Sequence, residues 1–331
     1  MPAIRSAPPS AARGLLSGGL DPSEVAQAVQ ATGARVVHAH NLQPTYGWRA
    51  LAAAKAAGAR TVLHLHNYRL VCAVGTCVDP AGQDCTACHG RDTLPGVRKR
   101  CRGAIAEGVA YGAGLSLWQR RIAAAADAIV VPSEAARARL IELGAPGAER
   151  AVVVAHPVPL TAEPLDPAAG DCVLVTARLA PEKAIGAAIA ACAEARLPLV
   201  VCGTGPEETA LRAAASGADV TFVSESSPER ITELRARARV QLVTSVAEET
   251  FGFAAWEAMA AGLPVVASAA GALRELGPGT LTAPRGDTAG LAAALRDAWD
   301  RAGELGALAR TTAGERCDPG TLAQQLSAIY G

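Results

Sequence analysis

Two glutamates in the second half of the chain lie where a loop and a helix would meet a ligand. Glu249 lies in a polar loop after a predicted strand that ends near Thr244, and Glu257 lies in a helix predicted at residues 253–261. Ligands bind at the carboxyl ends of parallel strands, and the free N–H groups of a helix start suit a diphosphate. Glu257 lies about 7.5 Å along that helix from Gly252. Its carboxylate only accepts hydrogen bonds, which suits a vicinal diol such as a ribose.

Two cations follow the first predicted strand of the same half, which spans residues 172–176. Arg178 can bind a diphosphate through two parallel hydrogen bonds, and Lys183 adds a point charge to the same anion. The chain has only three lysines, Lys55, Lys99 and Lys183, so an isolated lysine here is unusual. Cations placed on a diphosphate stabilise negative charge that builds on it during a reaction.

The segment 245–268 resembles the signature of glycosyltransferase family 4. The resemblance consists of Glu249 and Glu257, separated by seven residues, and of the string Glu-Ala-Met-Ala-Ala-Gly-Leu-Pro-Val-Val that begins at Glu257. Members of this family are retaining, nucleotide-sugar-dependent enzymes with the GT-B fold of two facing Rossmann-like domains. The resemblance implies that Glu249 contacts the donor sugar, that Glu257 binds the ribose and that amides near Phe251 and Gly252 bind the diphosphate.

Two further segments resemble this family. Thr176–Lys183 resembles the Arg-Leu-x-x-x-Lys donor loop, which assigns the diphosphate to Arg178 and Lys183, although Ala184 stands where members usually have glycine. The turn Gly203-Thr-Gly205 resembles the Gly-x-Gly turn near the nucleotide base. Because no catalytic metal is needed when cations and a helix start neutralise the leaving group, the only cofactor-like ligand expected at this site is the nucleotide-sugar, with its base unidentified.

Histidines and asparagines mark two strand ends in the first half. The segments 36–41 and 61–72 both pass from an apolar strand into His-Asn, and by resemblance His66 reaches the donor sugar across an interdomain cleft. His40, Asn41 and Asn67 are then expected on the acceptor side. His38 and His64 share a strand face with these histidines at i, i+2 spacing and are expected to be buried and structural.

Five of the nine cysteines fall in one Gly-, Asp- and Pro-rich insertion. A Cys-x-x-Cys with further cysteines in a loop that has no core of its own is typical of metal ligation. The set expected to bind a structural zinc ion is Cys72, Cys85, Cys88 and Cys101, with Cys77 and His89 as substitutes; disulfides and free thiols are the alternatives. The other four cysteines lie in apolar patterns and are expected to be inert.

Composition excludes several classes of protein. The 331 residues contain 31 Lys+Arg and 31 Asp+Glu, so the formal net charge is zero and a nucleic-acid binder is disfavoured. No uninterrupted run of 18 apolar residues indicates a transmembrane helix, and residues 1–19 lack a secretory signal pattern, which favours a soluble cytoplasmic protein. No Gly-x-Gly-x-x-Gly follows a first strand, which disfavours a nicotinamide-dependent dehydrogenase.

Helical and strand-like segments alternate along most of the chain, which predicts α/β architecture with parallel, doubly wound sheets. The predicted domains are an acceptor-side domain at 1–158 with the cysteine-rich insertion 72–101, a nucleotide-sugar-binding domain at 159–316, and a terminal helix at 317–331 that packs back on the first. The Pro-, Ala- and Ser-rich residues 1–20 are expected to be irregular.

The first domain departs from the family in its length. Only 35 residues precede the strand that begins at Val36, where family members have additional leading strands, so the sheet is expected to have an edge that must be covered. Two explanations are expected: either the start codon is misassigned, or the enzyme is a reduced one in which a partner subunit or a second copy of the chain covers this edge. The expected activity is retaining transfer of a sugar from a nucleoside-diphosphate-sugar to an unidentified acceptor, and the alternative is a catalytically weakened nucleotide-binding subunit that needs a partner.

Overall fold

The computed structural model describes residues 8–331 and divides them into two compact α/β units. The first unit contains the described residues up to Val154 together with residues 324–331, and the second contains residues 155–323. Each unit is built on one parallel sheet, which confirms the predicted fold class.

The sheet of the first unit has four parallel strands in the order β1-β2-β3-β4. Within the described part of the chain β1 pairs only with β2, so β1 is the edge strand. The strands are β1 (Val36–His40), β2 (Arg60–His64), β3 (Ala128–Val131) and β4 (Val152–Val153), and the helices are α1 (Pro8–Ser17), α2 (Ser23–Thr32), α3 (Gly47–Ala56), α4 (Leu94–Arg98), α5 (Ile105–Ala125) and α6 (Glu134–Glu142).

The expectation that the first twenty residues are irregular is wrong, because most of the described ones form α1. Proline is tolerated at the start of a helix, where its missing N–H would have no partner. Leu15 in α1 is 4% exposed. A Cβ placed on Gly114 of α5 would lie 2.9 Å from the carbonyl oxygen of Leu15. Close packing against α5 therefore stabilises a helix whose composition alone does not predict it.

The sheet of the second unit has six parallel strands in the order β10-β9-β8-β5-β6-β7. Its central strands are near-continuous apolar runs: Val173, Val240 and Val266 are fully buried, as expected where helices cover both faces. The strands are β5 (Cys172–Thr176), β6 (Leu199–Cys202), β7 (Val220–Val223), β8 (Ala238–Val243), β9 (Val265–Ser268) and β10 (Thr280–Ala283); the helices are α7 (Ile185–Ala195), α8 (Glu208–Ala214), α9 (Pro228–Arg237), α10 (Phe253–Ala261), α11 (Thr288–Asp300) and α12 (Ala302–Arg316).

The last helix, α13 (Pro319–Tyr330), ends within the first unit. Its last turn contacts the first sheet at β1 and β2. The Tyr330 hydroxyl lies 2.7 Å from Nδ1 of His38, and Nε of Arg60 donates to the carbonyl oxygen of Ile329 at 2.8 Å. Among the helices of residues 8–331, none is long and apolar enough to cross a membrane.

Candidate functional site

The loop after β5 and the loop after β8 are bound to each other at the carboxyl edge of the second sheet. The hydroxyl of Thr244 donates to the carbonyl oxygen of Lys183 at 2.9 Å, and the amide of Val246 donates to that of Glu182 at 3.0 Å. The two segments predicted to share a diphosphate site are therefore adjacent.

The charged side chains of these two loops form ion pairs. Nζ of Lys183 binds Oε1 of Glu249, and the hydroxyl of Ser245 donates to the same oxygen at 2.6 Å. Arg178 binds Glu182 and is 63% exposed, so solvent screens this pair and a ligand can compete for the guanidinium. The structure thus holds Lys183 and Glu249 in a partly buried pair and presents Arg178 to solvent.

Glycine is required where the turn after β6 contacts the loop after β5. A Cβ on Gly203, whose φ is +143°, would lie 2.0 Å from the carbonyl oxygen of Ala177. A Cβ on Gly205 would lie 2.2 Å from the carbonyl oxygen of Leu179. No side chain fits at either position, so the two glycines allow the backbone of this turn to pack directly against the backbone of the loop after β5.

These loops and the helices α9 and α10 enclose a cavity of about 370 Å³. That volume lies in the range of small-molecule sites. Three of the predicted donor residues, Arg178, Gly203 and Glu257, line the cavity; Lys183, Glu249, Gly205, Phe251 and Gly252 are not among its lining residues. The remaining lining residues are Thr176, Ala177, Cys202, Thr204, Ser226, Ile231, Arg235 and Ala254.

Glu257 has a partner in the cavity wall that the sequence analysis did not identify. Nη2 of Arg235, on α9, binds Oε2 of Glu257. The Arg235 side chain is 14% exposed and its Nε has no hydrogen-bond partner, whereas Glu257 is 44% exposed. Arg235 adds a second cation to the cavity. It lies in a helix with many arginines, so no motif distinguishes it from its neighbours.

At the start of α10, Phe251 and Gly252 have no side chain that a ligand could reach. Phe251 is 3% exposed and packs on Trp256 with the ring centroids 5.9 Å apart, so its side chain belongs to the core. Gly252 caps the helix with a φ of +85°, in the left-handed region that favours glycine. Only backbone groups of these two residues are therefore available to a ligand.

Glu248, next to Glu249 in sequence, is only 7% exposed. Its carboxylate binds Nη2 of Arg274 at 2.7 Å and Nη2 of Arg285 at 2.7 Å. These pairs connect the loop after β8 to the segments on either side of β10, which gives Glu248 a structural role.

In the first unit, four histidines form a stack at the carboxyl ends of β1 and β2. The rings of His38 and His40 lie 4.4 Å apart, and those of His64 and His66 lie 4.2 Å apart. Nδ1 of His40 is 2.5 Å from Nε2 of His66. Burial, followed by the charge of His40, lowers the pKa of His66, and burial lowers that of His40. Stacked rings in this setting favour the neutral form, which can both donate and accept a hydrogen bond.

The predicted acceptor-side residues adjoin this stack. Nδ2 of Asn67 donates to Oδ1 of Asn41 at 2.9 Å, and the amide of Arg69 donates to Oδ1 of Asn67 at 2.9 Å. Asn41, His66, Asn67 and Arg69 line a small cavity of about 30 Å³, whereas His40 does not line it. The structure thus brings His66, Asn41 and Asn67 to one cavity and joins His40 to it through the ring of His66.

The five clustered cysteines lie around one small cavity, and none of the nine cysteines forms a disulfide in the structure. The thiol of Cys77 donates to the sulfur of Cys72, and this bond lowers the pKa of Cys72 to about 6 and raises that of Cys77. Burial raises the pKa of Cys88 to about 11. The predicted substitute ligand His89 does not line this cavity.

Ala184 has a φ of +47°, which lies in the left-handed region. Glycine, which members of the resembled family usually have at this position, adopts that conformation without strain. We expect Ala184→Gly to raise the free energy of unfolding by about 0.5–1 kcal/mol, because removal of the Cβ relieves about 1–2 kcal/mol of strain and part is lost to backbone entropy. Thermal unfolding measures the change. The control Ala190→Gly, in the interior of α7, should be destabilising by about 1 kcal/mol; equal losses in both variants would contradict the prediction.

His38 makes stability depend on pH. Burial, with the charges of His40 and His66, lowers the pKa of His38 from 6.5 to about 4, and its Nε2 is buried without a partner. Between these values the unfolded ring binds a proton that the folded ring does not, so stability falls as pH falls from 6.5 to 4. We expect a loss on the order of 1–2 kcal/mol after solvent screening. Thermal unfolding should show a flatter pH profile in His38→Gln, and an unchanged slope would contradict the assignment.

Two family models match the chain. A model described as "Glycosyl transferase 4-like domain" matches residues 2–156, and one described as "Glycosyl transferases group 1" matches residues 170–301. Among curated protein sequences, none matches this chain.

Solved structures of glycosyltransferases share the fold. HepE (Alr3699) from Anabaena, solved with UDP, is 19% identical with a TM-score of 0.67, over 93% of this chain and 81% of that one. Sucrose-phosphate synthase from Thermosynechococcus elongatus is 21% identical with a TM-score of 0.67, over 93% and 77%. A glycosyltransferase from Rickettsia africae is 14% identical with a TM-score of 0.67, over 100% and 83%.

Proposed function

Since the chain belongs to the family 4 type of glycosyltransferases with the GT-B fold, we propose that it transfers a sugar from a nucleoside-diphosphate-sugar to an acceptor with retention of configuration. The observation that carries this proposal is the cavity in the second unit, where Arg178, Arg235 and Glu257 lie around about 370 Å³. Two guanidinium groups suit a diphosphate, and one carboxylate suits the hydroxyls of a ribose.

We propose uridine as the base of the donor. HepE was solved with UDP and with UDP-glucose, and its likeness to this chain extends over both units. Two structures of TarM and one of GtfA also share the fold, and one of the TarM structures and the GtfA structure were solved with UDP. The turn at Gly203 and Gly205 is the proposed neighbour of the base. Its backbone packs directly against that of the loop after β5.

In the proposed reaction the bond from the anomeric carbon to the diphosphate breaks as the bond to the acceptor oxygen forms on the same face. Arg178, Lys183 and the amides near Phe251 and Gly252 stabilise the charge that develops on the departing diphosphate. The departing phosphate oxygen takes the proton of the acceptor. Glu249, released from its pair with Lys183 when the diphosphate binds, then accepts hydrogen bonds from the transferred sugar.

The roles that we propose for residues of the first unit come from the resemblance to the family. His66 is the proposed contact of the donor sugar, and His40, Asn41 and Asn67 are the proposed contacts of the acceptor. The lowered pKa of His66 supports a neutral ring that donates a hydrogen bond without adding charge.

The test is a thermal-shift panel of UDP-, GDP-, ADP- and TDP-glucose on the purified chain, followed by measurement of donor hydrolysis. A ligand that binds only the folded state raises the free energy of unfolding, by about 2.7 kcal/mol at a ligand concentration of a hundred times Kd, and therefore raises the melting temperature. We expect a shift with the UDP-sugar and slow hydrolysis of it. A shift without any hydrolysis or transfer would favour the nucleotide-binding subunit, and no shift with any donor would overturn the proposal.

A further inference from the structure

The insertion between β2 and α5 has little structure of its own to hold it. Residues 65–104 contain one helix of five residues, α4, and two isolated bridges, Val78–Asp84 and His89–Asp92. A loop of this length without regular elements is uncommon inside a compact domain. Something besides secondary structure must therefore fix its path.

The cysteines of this insertion converge on one point. Cys72, Cys77, Cys85, Cys88 and Cys101 line a cavity of about 20 Å³, together with apolar residues and Lys99. A space of that size holds one water-sized occupant. Cys77 is 1% exposed and packs in the apolar core, whereas the other four are partly exposed. All five thiols thus line a shared space, and that of Cys77 is the most buried.

Hydrogen-bond donors surround the sulfurs. The amide of Gly75 donates to Sγ of Cys72 at 3.4 Å, and the amides of Val74 and Cys77 also donate to it. Nζ of Lys99 lies 3.7 Å from Sγ of Cys85, and the amide of Gly96 donates to Cys88. Donors directed at a sulfur stabilise the thiolate and are the outer contacts that orient metal-bound cysteines.

From this convergence we propose that Cys72, Cys85, Cys88 and Cys101 bind one structural zinc ion. Four thiolates give zinc a closed tetrahedral site with no open position, so the ion has no catalytic role. Each ligand loses its proton to solvent on binding, and four thiolates with Zn²⁺ leave a net charge of −2. Lys99 offsets part of this charge. Cys77 is not a ligand but donates its S–H to Cys72.

Zinc binding must contract the cavity. A tetrahedron with Zn–S bonds of about 2.3 Å places the sulfurs about 3.8 Å apart. Within residues 8–331, the groups of three donor atoms that lie within 4.8 Å of one another consist of histidines and include no cysteine. The ion would therefore draw four separate stretches of the insertion together, which would stabilise the neighbouring segment that carries Asn67 and Arg69.

The first experiment measures metal and thiols on the full chain purified from zinc-supplemented cells. We expect about one zinc per chain, and nine thiols that react with Ellman's reagent after denaturation with a chelator. Well below one zinc with nine thiols would overturn the proposal in favour of free thiols. Five reactive thiols, that is nine minus the four of two disulfides, would overturn it in favour of disulfides.

The ligand set is tested by cobalt substitution of the chelator-treated protein. Tetrahedral thiolate ligation should give a sulfur-to-cobalt charge-transfer band and intense ligand-field bands. His38, His40 and His64 also bring three ring nitrogens within 4.8 Å of one another, and cobalt bound there would show no thiolate band. That spectrum would overturn the proposal.

Variants separate the ligands from the other cysteines. The double variant Cys88→Ser/Cys101→Ser should lose essentially all zinc, whereas Cys77→Ala and the distant control Cys192→Ala should each retain about one zinc. Should the double variant fail to fold, zinc-dependent recovery of the wild-type melting temperature after chelation replaces it as the readout. Loss of zinc from Cys77→Ala, or a melting temperature that chelation does not lower, would contradict the assignment.

Discussion

Glu257→Ala should raise the Kd for a UDP-sugar about 100-fold or more. The carboxylate is the proposed acceptor for both ribose hydroxyls, and hydrogen bonds to a charged group contribute about 1.5–3 kcal/mol each. Loss of the carboxylate also leaves Arg235 without the partner that it has in the cavity wall. Isothermal titration calorimetry with UDP and UDP-glucose measures the effect.

The control for this variant is Glu233→Ala. Glu233 also pairs with an arginine, Arg230, but it is 63% exposed and does not line the cavity. We expect an unchanged Kd in this control and an intermediate loss in Glu257→Gln, which keeps the shape of the side chain and loses its charge. An unchanged Kd in Glu257→Ala, with the fold intact by circular dichroism, would exclude Glu257 from the nucleotide site.

Lys183→Ala should lower kcat by about 10²–10³-fold. A preorganised cation that neutralises a leaving group in the transition state has effects of this size. In the structure the ammonium group pairs with Glu249, so its removal also takes a cation from that carboxylate, which keeps its hydrogen bond from the hydroxyl of Ser245. Donor hydrolysis at saturating UDP-sugar measures the change in kcat separately from KM.

The matched control is another lysine in an ion pair. Lys55 pairs with Asp127 and is 53% exposed, so Lys55→Ala should change kcat less than about twofold. A Lys183→Ala variant with wild-type kcat and only a raised KM would show that the lysine contributes to ground-state binding and not to departure of the diphosphate.

Much of the second unit could be predicted from the sequence because its strands are buried on both faces. β5 and α10 begin and end where the apolar runs and their flanking glycine and proline residues indicate. Parallel topology alone places the loops at Lys183 and Glu249 at one edge of the sheet, since the carboxyl ends of its strands lie there. Their direct contact also depends on the pairing of β5 with β8, which the sequence does not reveal.

Other elements lack a local signal. No element is predicted between Ser268 and the terminal helix at 317–331, yet β10, α11 and α12 lie there. The two long helices in this region are rich in alanine and glycine, and their stability depends on packing: Ala292, Ala298 and Ala309 are fully buried. The same holds for α1, whose helix is stabilised by its contact with α5.

The sequence analysis missed one cation of the site, Arg235, and two cations that hold the neighbouring loop, Arg274 and Arg285, and each is bound to a carboxylate. The chain has 28 arginines, which is 31 basic residues minus three lysines. Composition therefore does not distinguish Arg235, Arg274 or Arg285 from the others. Their roles depend on which carboxylate the fold places beside each guanidinium, and that is a property of tertiary structure. The pairing of Glu257 with Arg235 is the clearest case.

The two adjacent glutamates at 248 and 249 bind different partners. Glu248 anchors its loop through two guanidinium groups, while Glu249 faces Lys183. The residue that anchors the loop is therefore separate from the residue proposed to contact the sugar. If Glu249 contacts the sugar as proposed, libraries that vary Glu249 can alter which sugar is accepted and leave the scaffold intact. The same diversity at Glu248 would remove the carboxylate that binds Arg274 and Arg285 and destabilise the loop, an asymmetry that a directed-evolution campaign can exploit.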